Sequence, residues 1–344
     1  MREGIEMAGT VLVSGGSGYI AGYLIRQLVV EGWTVRTTIR NLGREAEVRA
    51  RLAVDNDRLH FFAADLMSDA GWAEAMAGCS HVAHVASPFP PSAVKHEDEL
   101  IVPARDGALR ALRFARDAGV TRFVQTSSAA AIAYGHPPGQ TTFTEADWSD
   151  PTSPDTSPYA RSKTIAERAA RDWMAEQGGA MEFASINPSL VVGPVMDADV
   201  STSIDAIEKM LSGALPGCPN LGFGVVDVRD LADLHVRVLT APGMAGERFI
   251  ASGRFFKLID IARLFKARLG PQARKVPART LPDFLVRIVA LWDPLVRMVV
   301  SELGRTRNMD ASHAKAVLGW STRSEEESLL DCAKSLIDTG IVKV

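Results

Sequence analysis

Only three cysteines occur in the 344 residues: Cys79, Cys218 and Cys332. An odd, widely spaced set argues against a disulfide framework and against a zinc site, and it fits a reducing compartment. Each reads as a small buried hydrophobe. A dominant charge sign is also missing. The 38 Lys and Arg face 41 Asp and Glu, a net charge of −3, so no bulk attraction to nucleic acid or an anionic membrane is expected. The stretch from Leu281 to Val300 has the length of a membrane span but holds Asp283, Arg287, Asp293, Pro294 and Arg297. Charges at such depth are costly in lipid. A partly buried helix or helix pair, broken near Pro294, is expected instead. The opening MREGIEMAGT has no apolar core of the signal-peptide kind, and Met7 can serve as a natural start. Together these gaps describe a cytoplasmic protein with neither a nucleic-acid nor a membrane partner.

Apolar residues make up 47% and charged residues 23%, the balance of a folded globular chain. The length suits one large α/β domain carrying a smaller lobe. Thr10 to Val13 is a short β-branched run, Ser14 to Gly18 a glycine-rich turn, and Tyr19 to Glu31 has helical periodicity. Further strands are predicted at Trp33–Ile39, Leu59–Ala63, His81–Ala86, Arg122–Gln125 and Glu182–Ile186. Helices are predicted around Trp72–Met76, over Leu100–Ala118 and over Tyr159–Gln177. This alternation predicts a Rossmann-type, doubly wound parallel sheet with helices on both faces. Residues 7–193, with 225–249 returning to them, form the expected nucleotide-binding domain. Residues 194–224 and 250–338 form the expected smaller, mostly helical substrate lobe.

The run VSGGSGYIAG puts Gly15, Gly18 and Ala21 in the three places of a dinucleotide fingerprint. Gly15 allows the tight turn, Gly18 the approach of backbone to pyrophosphate, and Ala21 close helix–strand packing. Amides from Ser17 to Ile20, Tyr19 included, then face the phosphates at the helix N-terminus. The context of strand, turn and helix distinguishes this from an ordinary glycine turn. At the end of the second strand, an NAD enzyme carries Asp or Glu for the ribose 2′-hydroxyl. Here Ile39 is followed by Arg40, with Arg44 a turn later. A guanidinium pairs with a 2′-phosphate, so the cofactor expected is NADPH/NADP+; the plain alternative is a surface arginine ending a strand. Asp65 can accept from the adenine amino group, cap the helix that follows, or do both.

In SPYARSK, Tyr159 and Lys163 stand one helical turn apart on one face. A phenol titrates near ~10, and an adjacent ammonium lowers that value toward the working range. The triplet Thr126-Ser127-Ser128 lies about thirty residues upstream, at the end of a predicted strand where doubly wound sheets bind ligands. A hydroxyl there can donate to a substrate carbonyl; the alternative is a turn or helix cap. Phe89, Ala131, Tyr134, Val195, Met196, Phe223 and Val225 are candidate walls of a largely apolar substrate pocket, each with core packing as the alternative. His81, His84 and His235 lack ligand-like spacing and read as structural, and no metal is expected. Glu145 and Trp148 lie in a loop able to cover the cleft.

With these motifs in hand, the chain resembles the extended short-chain dehydrogenase/reductases. More narrowly it is similar to the branch of dihydroflavonol reductases, cinnamoyl-CoA reductases and microbial aldehyde and ketone reductases. The resemblance runs through VSGGSGYIAG, TTIRN, FFAADLMSD, HVAHVASPF, VQTSSAAA, SPYARSKTIAE, INPSLVVGP, DVRDLADLH and HAKAVLGWS. It implies Ser128 as catalytic serine, Tyr159 as acid/base and Lys163 as its partner. It also implies Arg40 on the 2′-phosphate, Asp65 and Leu66 on the adenine, Val85, Ala86 and Ser87 beside the cofactor, and Pro188 to Val191 flanking the nicotinamide. Ala133 stands where plant dihydroflavonol reductases carry an asparagine, and Ser157-Pro158-Tyr159 where cinnamoyl-CoA reductases read Asn-Trp-Tyr. Both departures favour a general small-molecule aldehyde or ketone reductase. The rival expectations are a nucleotide-sugar epimerase or dehydratase holding NAD, and a non-catalytic NADP(H)-sensing regulator.

Overall fold

A computed structural model describes residues 9–54, 57–87, 96–137, 139–196, 202–297 and 299–343. The strands, in chain order, open with β1 (Thr10–Val13), β2 (Thr34–Ile39), β3 (Leu59–Ala63), β4 (His81–His84), β5 (Arg122–Thr126) and the short β6 (Thr142–Phe143). They continue with β7 (Glu182–Pro188), β8 (Leu190–Val192), β9 (Gly222–Asp227), β10 (Arg248–Ala251), β11 (Phe255–Lys257) and β12 (Asn308–Met309). Seven of them form one sheet in the order β10-β7-β5-β4-β1-β2-β3, every neighbouring pair parallel. Order reverses at β1, between β4 and β2, which is where open α/β sheets present a crevice.

Apolar strand residues face both ways, as a sheet covered on both sides requires. On one face, Leu24, Ile25 and Leu28 of the helix Tyr19–Val30 pack with Leu231, Leu234 and Val238 of the helix Val228–Thr240. On the other, Trp72, Ala111, Leu112 and Ala170 from the helices Trp72–Met76, Asp98–Asp117 and Pro158–Gln177 cover Leu12, Val82 and Phe123. A separate core builds the small lobe, in which Ile204, Ile207, Met210 and Leu211 of the helix Thr202–Ser212 pack with Val225, Phe265 and Leu329.

The lobe is less purely helical than expected. A second sheet, β11-β9-β8, mixes antiparallel and parallel pairs, and β12 pairs with β6. The strand β9 belongs to this small sheet, while β10 returns to the edge of the main one. The stretch near Pro294 is a broken helix pair, Asp283–Val289 and Pro294–Arg297. Among the described residues no helix is long and apolar enough to cross a membrane. All three cysteines are buried and free.

Candidate active site

The glycine turn is set by backbone bonds. Gly15 adopts φ +75°, and a Cβ there would meet Ala86 at 3.1 Å, so only glycine fits without strain. The Gly18 amide donates to the Gly15 carbonyl at 2.8 Å, and the Gly16 amide to Thr38 at 2.9 Å. The helix opens at Tyr19 with no side-chain cap, leaving its first amides for a ligand. A hydroxyl outside the fingerprint residues braces the turn. Ser14 Oγ accepts from the Val85 and Ala86 amides, both at 3.0 Å, and lies 3.0 Å from His84 Nδ1. Burial pushes the His84 imidazole down to about 3, so the ring is neutral and Ser14 donates to it. Ser14 therefore ties the end of β1 to the end of β4.

Arg40 follows β2 and is exposed. Arg44 is ion-paired with Glu47 at 2.6 Å, so reaching a phosphate means leaving that partner. Asp65 accepts from the Met67 amide at 2.7 Å, while its carbonyl accepts from Trp72 Nε1 at 2.9 Å. It closes a turn after β3 and does not cap the helix Trp72–Met76, whose N-cap is Gly71. Leu66 packs against Gly107, where a Cβ would come within 2.9 Å. Pro188 and Val191 are buried near the junction of β7 and β8.

The helix carrying Tyr159 and Lys163 begins at Pro158, with Ser157 capping the Ala160 amide at 3.2 Å. Proline at the first helical position and serine before it are a strong start signal. Ser128 ends the loop after β5; its hydroxyl accepts from the Ala130 amide at 3.1 Å and hydrogen-bonds Tyr159. The Lys163 ammonium lies 5.7 Å from the Tyr159 ring centroid and donates to Ser87 Oγ at 2.7 Å. Ser128 thus meets the Tyr159–Lys163 pair, which lies about thirty residues further along the chain, at the strand ends and beside the segment that meets the glycine turn.

Electrostatics here differ from the expectation at one point. Burial raises the Tyr159 phenol above its ordinary value, offset in part by the Ser128 hydrogen bond. Lys163 is the group pulled down, to about 8, by burial that Glu167 partly counters. The phenol is therefore protonated at neutral pH, the form a proton donor needs.

The candidate pocket walls separate. Tyr134 carries Arg307 over its ring at 4.4 Å, and burial pushes its hydroxyl up to about 12. Ala131 is fully buried in the turn after Ser128, and Phe223 is half-buried on β9. Val195 and Val225 pack inside the lobe core. Met196 lies against the first helix, its sulfur 3.4 Å from a Cβ built on Gly22. For Val195 and Val225 the core alternative fits the structure better than a wall, while Met196 stays partly exposed. Phe89 falls outside the described residues. Glu145 and Trp148 do not cover the cleft: Glu145 accepts from the Ile250 amide at 3.0 Å, and Trp148 stacks on Arg248 at 3.8 Å, both holding the edge strand β10. His235 is structural, between Thr126 Oγ1 at 2.7 Å and the Leu231 carbonyl at 2.8 Å. Among the described residues no group of His, Cys, Asp and Glu is arranged to hold a metal ion.

Ser14, Glu167, Asn187 and Arg248, all buried around the site, were absent from the sequence-based set. Glu167 had a readable signal, standing one further turn beyond Lys163 in SKTIAE.

Comparison with known proteins agrees with this architecture. The profile of the NAD dependent epimerase/dehydratase family (Epimerase) matches residues 11–250. The chain is 35% identical over 259 residues to cinnamoyl-CoA reductase CAD2 of Medicago truncatula, covering 72% of this chain and 76% of that protein. It is 32% identical to dihydroflavonol 4-reductase of Hordeum vulgare, with 76% and 75% covered. In structure it is similar to yeast methylglyoxal/isovaleraldehyde reductase Gre2 complexed with NADPH, at a TM-score of 0.81, 23% identity, and 97% and 100% coverage. That last likeness speaks for the fold alone.

Proposed function

The chain belongs to the NAD dependent epimerase/dehydratase family, and from that premise we propose that it is an NADPH-dependent reductase of a small to medium, largely apolar aldehyde or ketone. The observation that carries this reading is the meeting of the Ser128 hydroxyl, the Tyr159 phenol and the Lys163 ammonium at the sheet's strand ends. A relative's reductase name and NADPH beside a structural neighbour support the same direction.

The residues present fit a dinucleotide phosphate. The Gly15 turn leaves uncapped amides at a helix N-terminus, and Arg40, exposed at the end of β2, replaces the carboxylate that would repel a 2′-phosphate. When bound, NADPH supplies the hydride for the carbonyl carbon. The chain's own groups handle the oxygen. Ser128 donates to the substrate carbonyl, and Tyr159, protonated at neutral pH, passes its proton to the developing alkoxide. Lys163 faces the resulting phenolate and makes its formation less costly. A cytoplasmic setting belongs to this reading, resting on the three free cysteines.

The test is NADPH oxidation followed against a panel of aldehydes, ketones and nucleotide sugars. Turnover of simple carbonyls with NADPH preferred over NADH is expected. Turnover of nucleotide sugars alone, with NAD retained, would replace this reading with an epimerase.

A further inference from the structure

The buried carboxylate of Glu167 has no part in the chemistry above, yet it is fully enclosed at 0% exposure. A buried anion is costly to maintain, and a well-packed apolar residue would stabilise the fold as well or better. Its retention calls for a role beyond packing. Its hydrogen bonds lead to the strand ends, to the sheet edge and to Arg171 on its own helix. Glu167 accepts from Ser127 Oγ at 2.6 Å, from Asn187 Nδ2 at 2.7 Å and from Ser185 Oγ at 2.9 Å. Asn187 in turn donates to the Ser128 carbonyl at 3.0 Å. Arg248 Nε from β10 pairs with Glu167 at 2.7 Å, and Arg171 approaches at 3.4 Å.

We propose that Glu167 is a positioning residue for carbonyl reduction: its carboxylate fixes the backbone that presents Ser128 and places a negative charge one helical turn beyond Lys163. The proposal rests on the Tyr159–Lys163 reading given above. The neighbours of Lys163 support it. Tyr159 lies one turn earlier on the same helix, Ser87 holds the ammonium at 2.7 Å, and His84 from β4 is neutral and gives no negative charge. His235, from the helix behind β5, is also neutral and engaged with Thr126. Arg248 and Arg171 pair with the carboxylate and hold it ionised against its burial. Glu167 is therefore the anion that offsets desolvation of the lysine. Spacing reinforces this, because Tyr159, Lys163 and Glu167 follow one another at single turns along one helix face.

The experiment measures kcat for carbonyl reduction against pH at saturating NADPH, in wild type, Glu167→Gln and Glu167→Asp. Glu167→Gln removes the charge, so the alkaline limb should move down by about one pH unit, with about a twofold fall in kcat at pH 7 that grows toward about tenfold on the alkaline side, and KM for the carbonyl little changed. Glu167→Asp keeps the charge but withdraws the oxygens, so kcat should fall while the limb stays at the wild-type pH. A limb unmoved in Glu167→Gln, or moved equally in Glu167→Asp, overturns the proposal. Should Glu167→Gln fail to fold, the double variant Glu167→Gln/Arg248→Gln, which leaves no buried guanidinium unpaired, takes its place, and an unmoved limb there overturns the proposal equally. Absence of carbonyl reduction in the wild type would instead overturn the function on which it rests.

Discussion

The strand ends of the main sheet and the outer face of the small lobe treat burial in opposite ways. At the strand ends polar side chains lie in the interior. Ser14, Thr126, Ser127, Ser185, Asn187, Glu167 and His235 are all buried, and each is hydrogen-bonded. On the lobe, large apolar side chains lie outside, with Phe284 61%, Leu291 66% and Trp292 77% exposed. Hydrogen bonds are directional and a buried unpaired group is costly, so the first arrangement fixes atoms to a fraction of an ångström. Apolar contact is non-directional, and the second arrangement fixes nothing of the kind. Reaction chemistry is therefore to be sought in the first region, and substitutions should separate the two.

The sharpest break comes at Tyr159. Tyr159→Phe should lower kcat by about 10²–10⁴-fold with the fold intact by circular dichroism; retention of most activity would remove the strand ends from the chemistry. At the far end of the same crevice, Arg40→Ala should raise the KM for NADPH by about tenfold or more and leave that for NADH nearly unchanged. Equal effects on the two nucleotides would make Arg40 a plain surface residue.

A subtler difference is visible in acid. Burial holds His84 at about 3 and His235 at about 4, below the ordinary 6.5 that the unfolded chain recovers. With folded values lowered, their contribution is complete above pH 6.5 and is lost as pH falls toward 4. The urea midpoint should therefore drop between pH 7 and pH 4.5, and His235→Gln should flatten that slope, at some cost in stability at pH 7. An unchanged slope would mean that these rings titrate normally. The smallest effect belongs to the lobe: Trp292→Gln should change stability by no more than about 0.5 kcal/mol and leave kcat as it was. A large loss of activity there would dissolve the contrast between the regions.

The sheet was legible because its signals are local. A β-branched run, a glycine turn and an apolar-periodic helix recur within a few residues of one another, and the observed bounds of β1, β3 and the helix Pro158–Gln177 lie within a residue of those expected. The Tyr159, Lys163 and Ser128 set was legible for the same reason, since helix spacing and a strand end are local features. The pocket walls were not. Whether Val195 or Met196 faces a cleft or a core depends on how the lobe docks, and an apolar residue reads alike in either place. The loop with Glu145 and Trp148 misled similarly, because its partner Arg248 lies about a hundred residues on. Glu167 stood in plain view, but its network spans β5, β7 and β10, which only folding brings together.

The brace at Ser14 bears on how a nucleotide is received. One hydroxyl joins two neighbouring strands and a neutral imidazole before any ligand arrives, so the floor of the crevice comes to each encounter already shaped. The loss of freedom that a floppy loop would suffer at every association is met once, when the chain folds, and a larger share of each contact with the phosphates is left to appear as affinity.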